Sequence, residues 1–198
     1  MSLIRPASLA DVEGIARVHV QAWPESYEGL VPPEAFEHHS LQTRIAQWHA
    51  TLADPDRSTL LYESDGAVGG FISGGSIKWT GLSTSSEVAS LYLIDAFKRR
   101  GVGRALMSEF MSVLADRGFT SCGLWTLSNN ATARRFYEAM GGRAGATRID
   151  RRSNVDYEDI SYLWDDVSRV PRHSWSGFDI RYTPSRGLAK RMSDPKLH

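Results

Sequence analysis

The stretch LYLIDAFKRRGVGRALMSEF, Leu91 to Phe110, constrains this chain more than any other. An apolar run reaches Ile94, three cations follow at Lys98, Arg99 and Arg100, two glycines flank Val102, and an amphipathic helix pattern begins. A helix N-terminus exposes about four backbone N–H groups without partners and carries roughly half a positive charge. Gly101 and Gly103 remove the β-carbons that would hold an anion away from those donors. Lys98, Arg99, Arg100 and Arg104 add full charges around the same point, so the corner suits a diphosphate. The plain alternative is a basic turn whose glycines only ease a strand-to-helix corner. A P-loop would need a GKS or GKT ending, and a Rossmann fingerprint a third glycine where Leu106 stands; neither is present.

The rest of the chain supplies the setting. LIRPAS reads as a short strand. LADVEGIARVHVQAW follows as a helix, with Leu9, Val12, Ile15, Ala16, Val18 and His19 near helical spacing, Ser8 as N-cap and Asp11 completing a capping box. PESYEGLVPPEAF is punctuated as a loop, and SLQTRIAQWHATLAD gives a second helix with Leu41, Ile45, Trp48 and Leu52 along one face. STLLYESDG and AVGGFISGGSI are strands joined by hairpin chemistry at Ser64-Asp65-Gly66, and SEVASLYLI is a third strand. Val102, Leu106, Phe110 and Leu114 face inward on the helix that follows, with Gly118 near its stop. TSCGLWTL is a strand, NATARRFYEAMGG a short helix closed by glycines, and GATRIDRR with VDYEDISYLW a final antiparallel pair. From Val167 onward basic residues outnumber acids, and GFDIRYTP offers an added strand. Residues 1–166 therefore read as one domain and 167–198 as a basic extension that packs on it, crosses to a partner, or stays solvated.

Composition excludes several classes. The chain has 198 residues with 23 basic and 23 acidic side chains, so no global field points to nucleic acid or to a membrane surface. The single cysteine, Cys122, rules out an internal disulfide and fits a reducing compartment. No apolar run approaches the ~18 residues of a membrane span, and the first residues turn polar too early for a signal peptide. The expectation is a cytoplasmic protein. Its six histidines, His19, His38, His39, His49, His173 and His198, show no metal-ligand spacing, so no metal is expected.

LYLIDAFKRRGVGRALM closely resembles the acyl-CoA-binding motif of the GCN5-related N-acetyltransferase (GNAT) superfamily, Gln/Arg-x-x-Gly-x-Gly/Ala, with Lys98 where Gln or Arg is usual. SNNATARRFYEAMGG matches a second motif of that family, Asn-x-x-Ala-x-x-Phe-Tyr-Glu-x-x-Gly, through Asn130, Ala133, Phe136, Tyr137, Glu138 and Gly141. Gly142 stands where a Phe is usual, at the cost of a core contact. The resemblance implies an α/β (α+β) GNAT fold: a mixed, mostly antiparallel central sheet of about six to seven strands flanked by about four helices. It also implies acetyl-CoA as cosubstrate. The coenzyme would lie on Leu91, Leu93, Lys98, Arg99, Arg100, Gly101, Val102, Gly103 and Arg104, with Asn130 and Ala133 beside it.

Amine acetylation needs a neutral amine, a site for the tetrahedral oxygen's charge, and a proton for the departing thiolate. The resemblance gives the proton donor as Tyr137 and the oxyanion donor as a strand N–H in the Leu93 region. Glu87, fourteen positions before Gly101, is the candidate base, with ordered water as its rival. On a strand Glu87, Ala89, Leu91 and Leu93 share a face, and Glu87 sits at an exposed strand start, at the far end from the pyrophosphate. For the acceptor, Trp23 and Tyr27 supply aromatic walls, Glu25 and Glu28 negative charge, and Trp79 a further wall, which together suit a cationic amine. The expected activity is acetyl transfer to a primary amine of a small molecule. The alternatives are a protein lysine or N-terminus as acceptor, or a non-catalytic acyl-CoA-binding module. Resemblance to the family also suggests a homodimer.

Overall fold

The structure is a computed structural model that describes residues 2–36, 40–78, 81–152, 155–170 and 179–180. Its strands are β1 (Ser2–Pro6), β2 (Arg57–Ser64), β3 (Ala67–Ser76), β4 (Ser86–Leu93), β5 (Cys122–Leu127), β6 (Arg143–Arg152), β7 (Val155–Trp164) and the two-residue β8 (Asp179–Ile180). They form one sheet in the order β6-β7-β5-β4-β3-β2-β1-β8. Pairing is antiparallel throughout except between β4 and β5 and between β1 and β8. Four helices, α1 (Val12–Tyr27), α2 (Leu41–Ala53), α3 (Val102–Asp116) and α4 (Ala131–Ala139), complete the expected element order. β8 lies inside the GFDIRYTP stretch and extends the sheet past β1.

Two apolar clusters sit on opposite faces of the sheet. The alternation of β2 sends Leu60 to one and Leu61 to the other. On the first face Leu106, Phe110 and Leu114 of α3, all fully buried, pack over Leu60 and Ile72. On the second face Ile15 and Ala16 of α1 and Trp48 of α2 cover Leu61 and Phe71. Each of these Leu, Ile and Phe side chains contributes about 1.5–3 kcal/mol by leaving water, which is what holds helices of modest intrinsic propensity onto the sheet.

Three local expectations are corrected. Helix α1 does not stop at Trp23: it continues through Pro24 to Tyr27. The proline forfeits one ladder bond, but Ser26 Oγ donates to the Ala22 carbonyl at 2.6 Å and Glu28 N–H to the Pro24 carbonyl at 2.9 Å. Leu9 lies on the 3-10 turn Leu9–Asp11 before α1 and is exposed rather than inward. Strand β4 does not alternate regularly, because Gly74 pairs with Val88 and Ser73 with Ser90, leaving Ala89 as an extra, bulged residue.

The bulge is what shapes the middle of the molecule. β4 and β5 pair only at Ser86↔Cys122 and Glu87↔Gly123, although both strands run on to Leu93 and Leu127. Beyond that point the parallel strands part. The open end of the gap faces the starts of α3 and α4, the helices that follow these two strands.

Candidate active site

The loop between β4 and α3 has the curl expected of an anion cradle. Gly101, the N-cap of α3, sits at φ 84°, and Arg99 at φ 62°, so two left-handed residues turn the chain back on itself. The first intrahelical bond of α3 is Ala105 N–H to the Gly101 carbonyl, so the amides of Val102, Gly103 and Arg104 have no intrahelical acceptor. Arg99, Arg100 and Arg104 are exposed with no acidic partner among the described residues. Lys98 is committed elsewhere: its Nζ pairs with Asp95 at 2.7 Å. The Val102 side chain is buried in the core beneath α3, so only its amide faces outward. Leu91 and Leu93 also pack against that cluster.

At the other helix start, Asn130 Oδ1 accepts the Ala133 N–H at 3.0 Å and caps α4. One turn on, Tyr137 packs its half-buried ring against Phe136, Tyr162 and Trp164 at centroid distances of 5.4, 5.7 and 6.2 Å. Its hydroxyl has no hydrogen-bond partner among the described residues, and burial raises the phenol's pKa above its usual value. Gly142 carries no missing core contact. A β-carbon there would come within 2.7 Å of Trp164, whose indole fills that space and donates to the Met140 carbonyl.

The gap between β4 and β5 holds a cavity of about 50 Å³ lined by Val88 to Tyr92, Leu124 to Thr126, Tyr27 and Tyr137. Three phenols meet there. Tyr92 donates to the Tyr27 hydroxyl across 3.4 Å, and burial, joined by these neighbours, pushes Tyr92 well above a phenol's ordinary pKa. Tyr27 reaches the gap because α1 continues past Pro24, which puts His19, Trp23 and Tyr27 at i, i+4 and i+8 on one helix face. That spacing was visible in the sequence and was hidden only by ending the helix one turn early.

Through Tyr27, Tyr92 and Trp125 the gap opens into a larger cavity of about 650 Å³ on the α1/α2 face of the sheet. Its floor is three cross-strand rows, fixed by the register of β2, β3 and β4: Arg57–Gly75–Glu87, then Thr59–Ser73–Ser90, then Leu61–Phe71–Tyr92. The rows run from charged, through hydroxyl, to aromatic. Thr59 Oγ1 and Ser73 Oγ share a bond of 2.9 Å. Above the floor stand His19, Trp23 and Tyr27 of α1 with Arg44, Gln47 and Thr51 of α2. Trp48 Nε1–H donates to His19 Nδ1 at 3.1 Å, which places the proton of the neutral imidazole on Nε2. Sequence reasoning had His19 only as part of a helix face, and missed Arg44, Arg57, Trp125 and Arg148 as cavity residues.

Glu87 is not at an exposed strand start. Its side chain is fully buried, and Arg57 Nη2 donates to its Oε1 at 2.8 Å across side-chain-free Gly75. Nor does it share a face with Leu91 and Leu93: the bulge at Ala89 reverses the alternation, so Glu87 faces the side of Ser90 and Tyr92. The charge expected from Glu25 and Glu28 is also elsewhere. Glu25 Oε2 accepts the Asp95 N–H at 2.8 Å, Glu28 is exposed, and neither lines the cavity. Trp23 does line it, its ring tilted against Tyr27 at a centroid distance of 5.0 Å and edge-to-face with Phe36 at 4.9 Å. Trp79, His38, His39, His173 and His198 lie outside the described residues, as does the basic extension apart from residues 167–170 and β8. Among the described residues no group of His, Cys, Asp or Glu could hold a metal ion, and no helix is long and apolar enough to cross a membrane.

Comparison with known proteins agrees with this geometry. The profile of the acetyltransferase (GNAT) family matches residues 17–142. An uncharacterized N-acetyltransferase of Bacillus subtilis, YuaI, is 27% identical over 170 residues, covering 86% of this chain and 96% of the relative. Among solved structures, the PaiA N-acetyltransferase of Thermoplasma acidophilum in complex with coenzyme A superposes with a TM-score of 0.60 at 20% identity, over 81% of this chain and 98% of that one. YncA of Salmonella typhimurium with acetyl-CoA gives a TM-score of 0.64 at 20% identity, over 88% of this chain and 97% of that one. These structural matches share the fold, and the profile spans more than half the chain. The chain belongs to the acetyltransferase (GNAT) family and is an acyl-CoA-dependent N-acetyltransferase.

Proposed function

We propose that the chain moves the acetyl group of acetyl-CoA directly to a primary amine of a small molecule. The observation that carries this is the parting of β4 and β5 just beyond Glu87↔Gly123, open toward the starts of α3 and α4 and walled by three phenols. The pyrophosphate would rest on the amides of Gly101 to Arg104, with Arg99, Arg100 and Arg104 around it. The thioester arm would run into the gap, where the facing edges of β4 and β5 have lost each other as partners and offer backbone groups instead.

In that pose the amine nitrogen attacks the thioester carbonyl, and a β4 amide in the Leu93 region steadies the oxyanion. The carbon–sulfur bond then breaks and the thiolate takes the Tyr137 proton. Burial keeps Tyr137 fully protonated at neutral pH, so it can donate but not abstract. The same dry gap makes the leaving thiolate more basic, which favours that transfer. Water removes the amine's proton. Glu87 enters as a positioning residue that holds Arg57 at the cavity wall. The small-molecule acceptor follows from the larger cavity, whose 650 Å³ falls in the usual range for small ligands.

The test has two readouts. Calorimetric titration should show acetyl-CoA and CoA binding and NAD silent. Tyr137→Phe should bind acetyl-CoA as the parent does while turnover with a competent amine falls about 100-fold or more. Unchanged turnover would remove Tyr137 as the acid; failure of acetyl-CoA to bind would remove the loop's ligand.

A further inference from the structure

We propose that the acceptor amine also carries a carboxylate, bound at the Arg57 end of the larger cavity while the amine points to the gap between β4 and β5. This rests on the acetyl-transfer function proposed above. Cations outnumber acids on the lining of the cavity. Arg44, Arg57, Lys78 and Arg148 line it against a single acid among the described residues, Asp54, which is engaged by Lys78. The other acids pair with the cations from outside the lining: Glu87 with Arg57, and Asp159, only 1% exposed, together with Asp150 with Arg148. They hold the guanidinium groups in place, and none of the three lines the cavity.

Hydrogen-bond supply points the same way. The Arg57 side chain is 8% exposed, and while its Nη2 serves Glu87, its buried Nη1 has no acceptor among the described residues. Trp125 Nε1, on the cavity wall beneath the Arg148 guanidinium at 4.2 Å, is a second buried donor without an acceptor. An unmet buried donor is destabilising, and an oxygen-bearing anion recovers that loss on binding where an alkyl group does not. The floor gives the spacing. From the Arg57–Glu87 row to the Ser90 row, beside the gap, is two residues of strand, roughly 7 Å. An amine and a carboxylate several bonds apart fit it.

The single acid on the cavity lining, Asp54, is engaged by Lys78, which leaves water as the proton acceptor. A doubly cationic polyamine would set its second ammonium against the Arg57 end. Specificity would then come from rejection as much as from attraction.

The experiment compares matched acceptors by thiol release from acetyl-CoA: L-lysine against cadaverine, 4-aminobutyrate against butylamine, and 6-aminohexanoate against hexylamine. The carboxylate member of each pair should have kcat/KM at least tenfold higher. That ratio should collapse in Arg44→Gln, and in a double variant carrying Arg57→Met and Glu87→Met together, so that no charge is left buried alone, with acetyl-CoA affinity unchanged by calorimetry. Equal or better turnover of the carboxylate-free amines, or a ratio that survives both variants, overturns the proposal. A second arm needs no turnover: the CoA-loaded protein is titrated with N6-acetyl-lysine and with N-acetylcadaverine. If no amine is acetylated although acetyl-CoA binds, the proposed function fails, and this arm still decides the anion site. Tighter binding of acetyl-lysine upholds it and equal binding overturns it.

Discussion

Breaking the Arg57–Glu87 pair should be among the most damaging single changes in the protein. The two side chains are 8% and 0% exposed and meet at 2.8 Å. Removing the cation by Arg57→Met leaves a carboxylate in the interior with no compensating charge, and such half-removals cost about 3–5 kcal/mol. For a chain of 198 residues, each kcal/mol shifts the melting midpoint by about 2–4 °C, so the loss should be roughly 6–20 °C. Converting both residues to methionine should cost far less than the sum of the single changes, because two apolar chains of similar volume often replace a buried pair at little net cost. Urea unfolding of the parent, the two single variants and the double variant measures all of this. A coupling energy under about 0.5 kcal/mol would refute a dry, charge-paired floor.

Two further outcomes follow from burial elsewhere. Cys122 is fully buried and its thiol is pushed up to about 12, chiefly by desolvation, so iodoacetamide at pH 8 should label the native protein only as fast as it unfolds; rapid labelling without unfolding would contradict the packing around β5. Tyr92 and Tyr137 both hold their protons in the folded state to higher pH than in the unfolded chain, where the phenol titrates near 10. Their contribution is therefore intact below about pH 10 and is lost as pH rises further, by up to about 1.4 kcal/mol per pH unit for each group. Urea midpoints between pH 8 and 11 should fall, and Tyr92→Phe should flatten the fall; parallel curves would show that Tyr92 is solvated.

What was legible in the sequence was whatever a local pattern dictates. The 3.6-residue period of Val102, Leu106, Phe110 and Leu114 marked α3 and its buried side, and Asp65-Gly66 marked the hairpin, where both residues adopt positive φ. The Lys98–Arg104 corner was legible for the same reason, since its glycines and cations are neighbours in sequence. The cavity was not. Arg57 and Glu87 are 30 residues apart and meet only because β3 carries Gly75 between them. Glu87 was placed on the wrong face because a bulge is a property of the pairing of two strands, invisible in the alternation of either one. The charge of the larger cavity was misread because acids were counted by position in the α1–α2 connection, while Glu25 turns away to the Asp95 amide.

The bulge at Ala89 links these features physically. An extra residue on β4 reverses its alternation, which sends Leu91 and Leu93 to the α3 cluster and Glu87 to the α1/α2 face beside Arg57. A bulge also sharpens local twist, and the β4–β5 ladder stops at Glu87, two residues before it. One inserted residue therefore accompanies the gap proposed for the thioester and, on the same strand, places Glu87 where it anchors the guanidinium proposed to hold the acceptor. In the proposed pose the two substrates would be brought together along a single strand: coenzyme at its C-terminal end through the Lys98–Arg104 corner, acceptor at its start through Glu87 and Arg57. With both ends fixed to one rigid element, an acceptor of the right length would have its amine delivered to the gap by its own carboxylate, so that binding energy from the distant group goes into orientation at the reacting one.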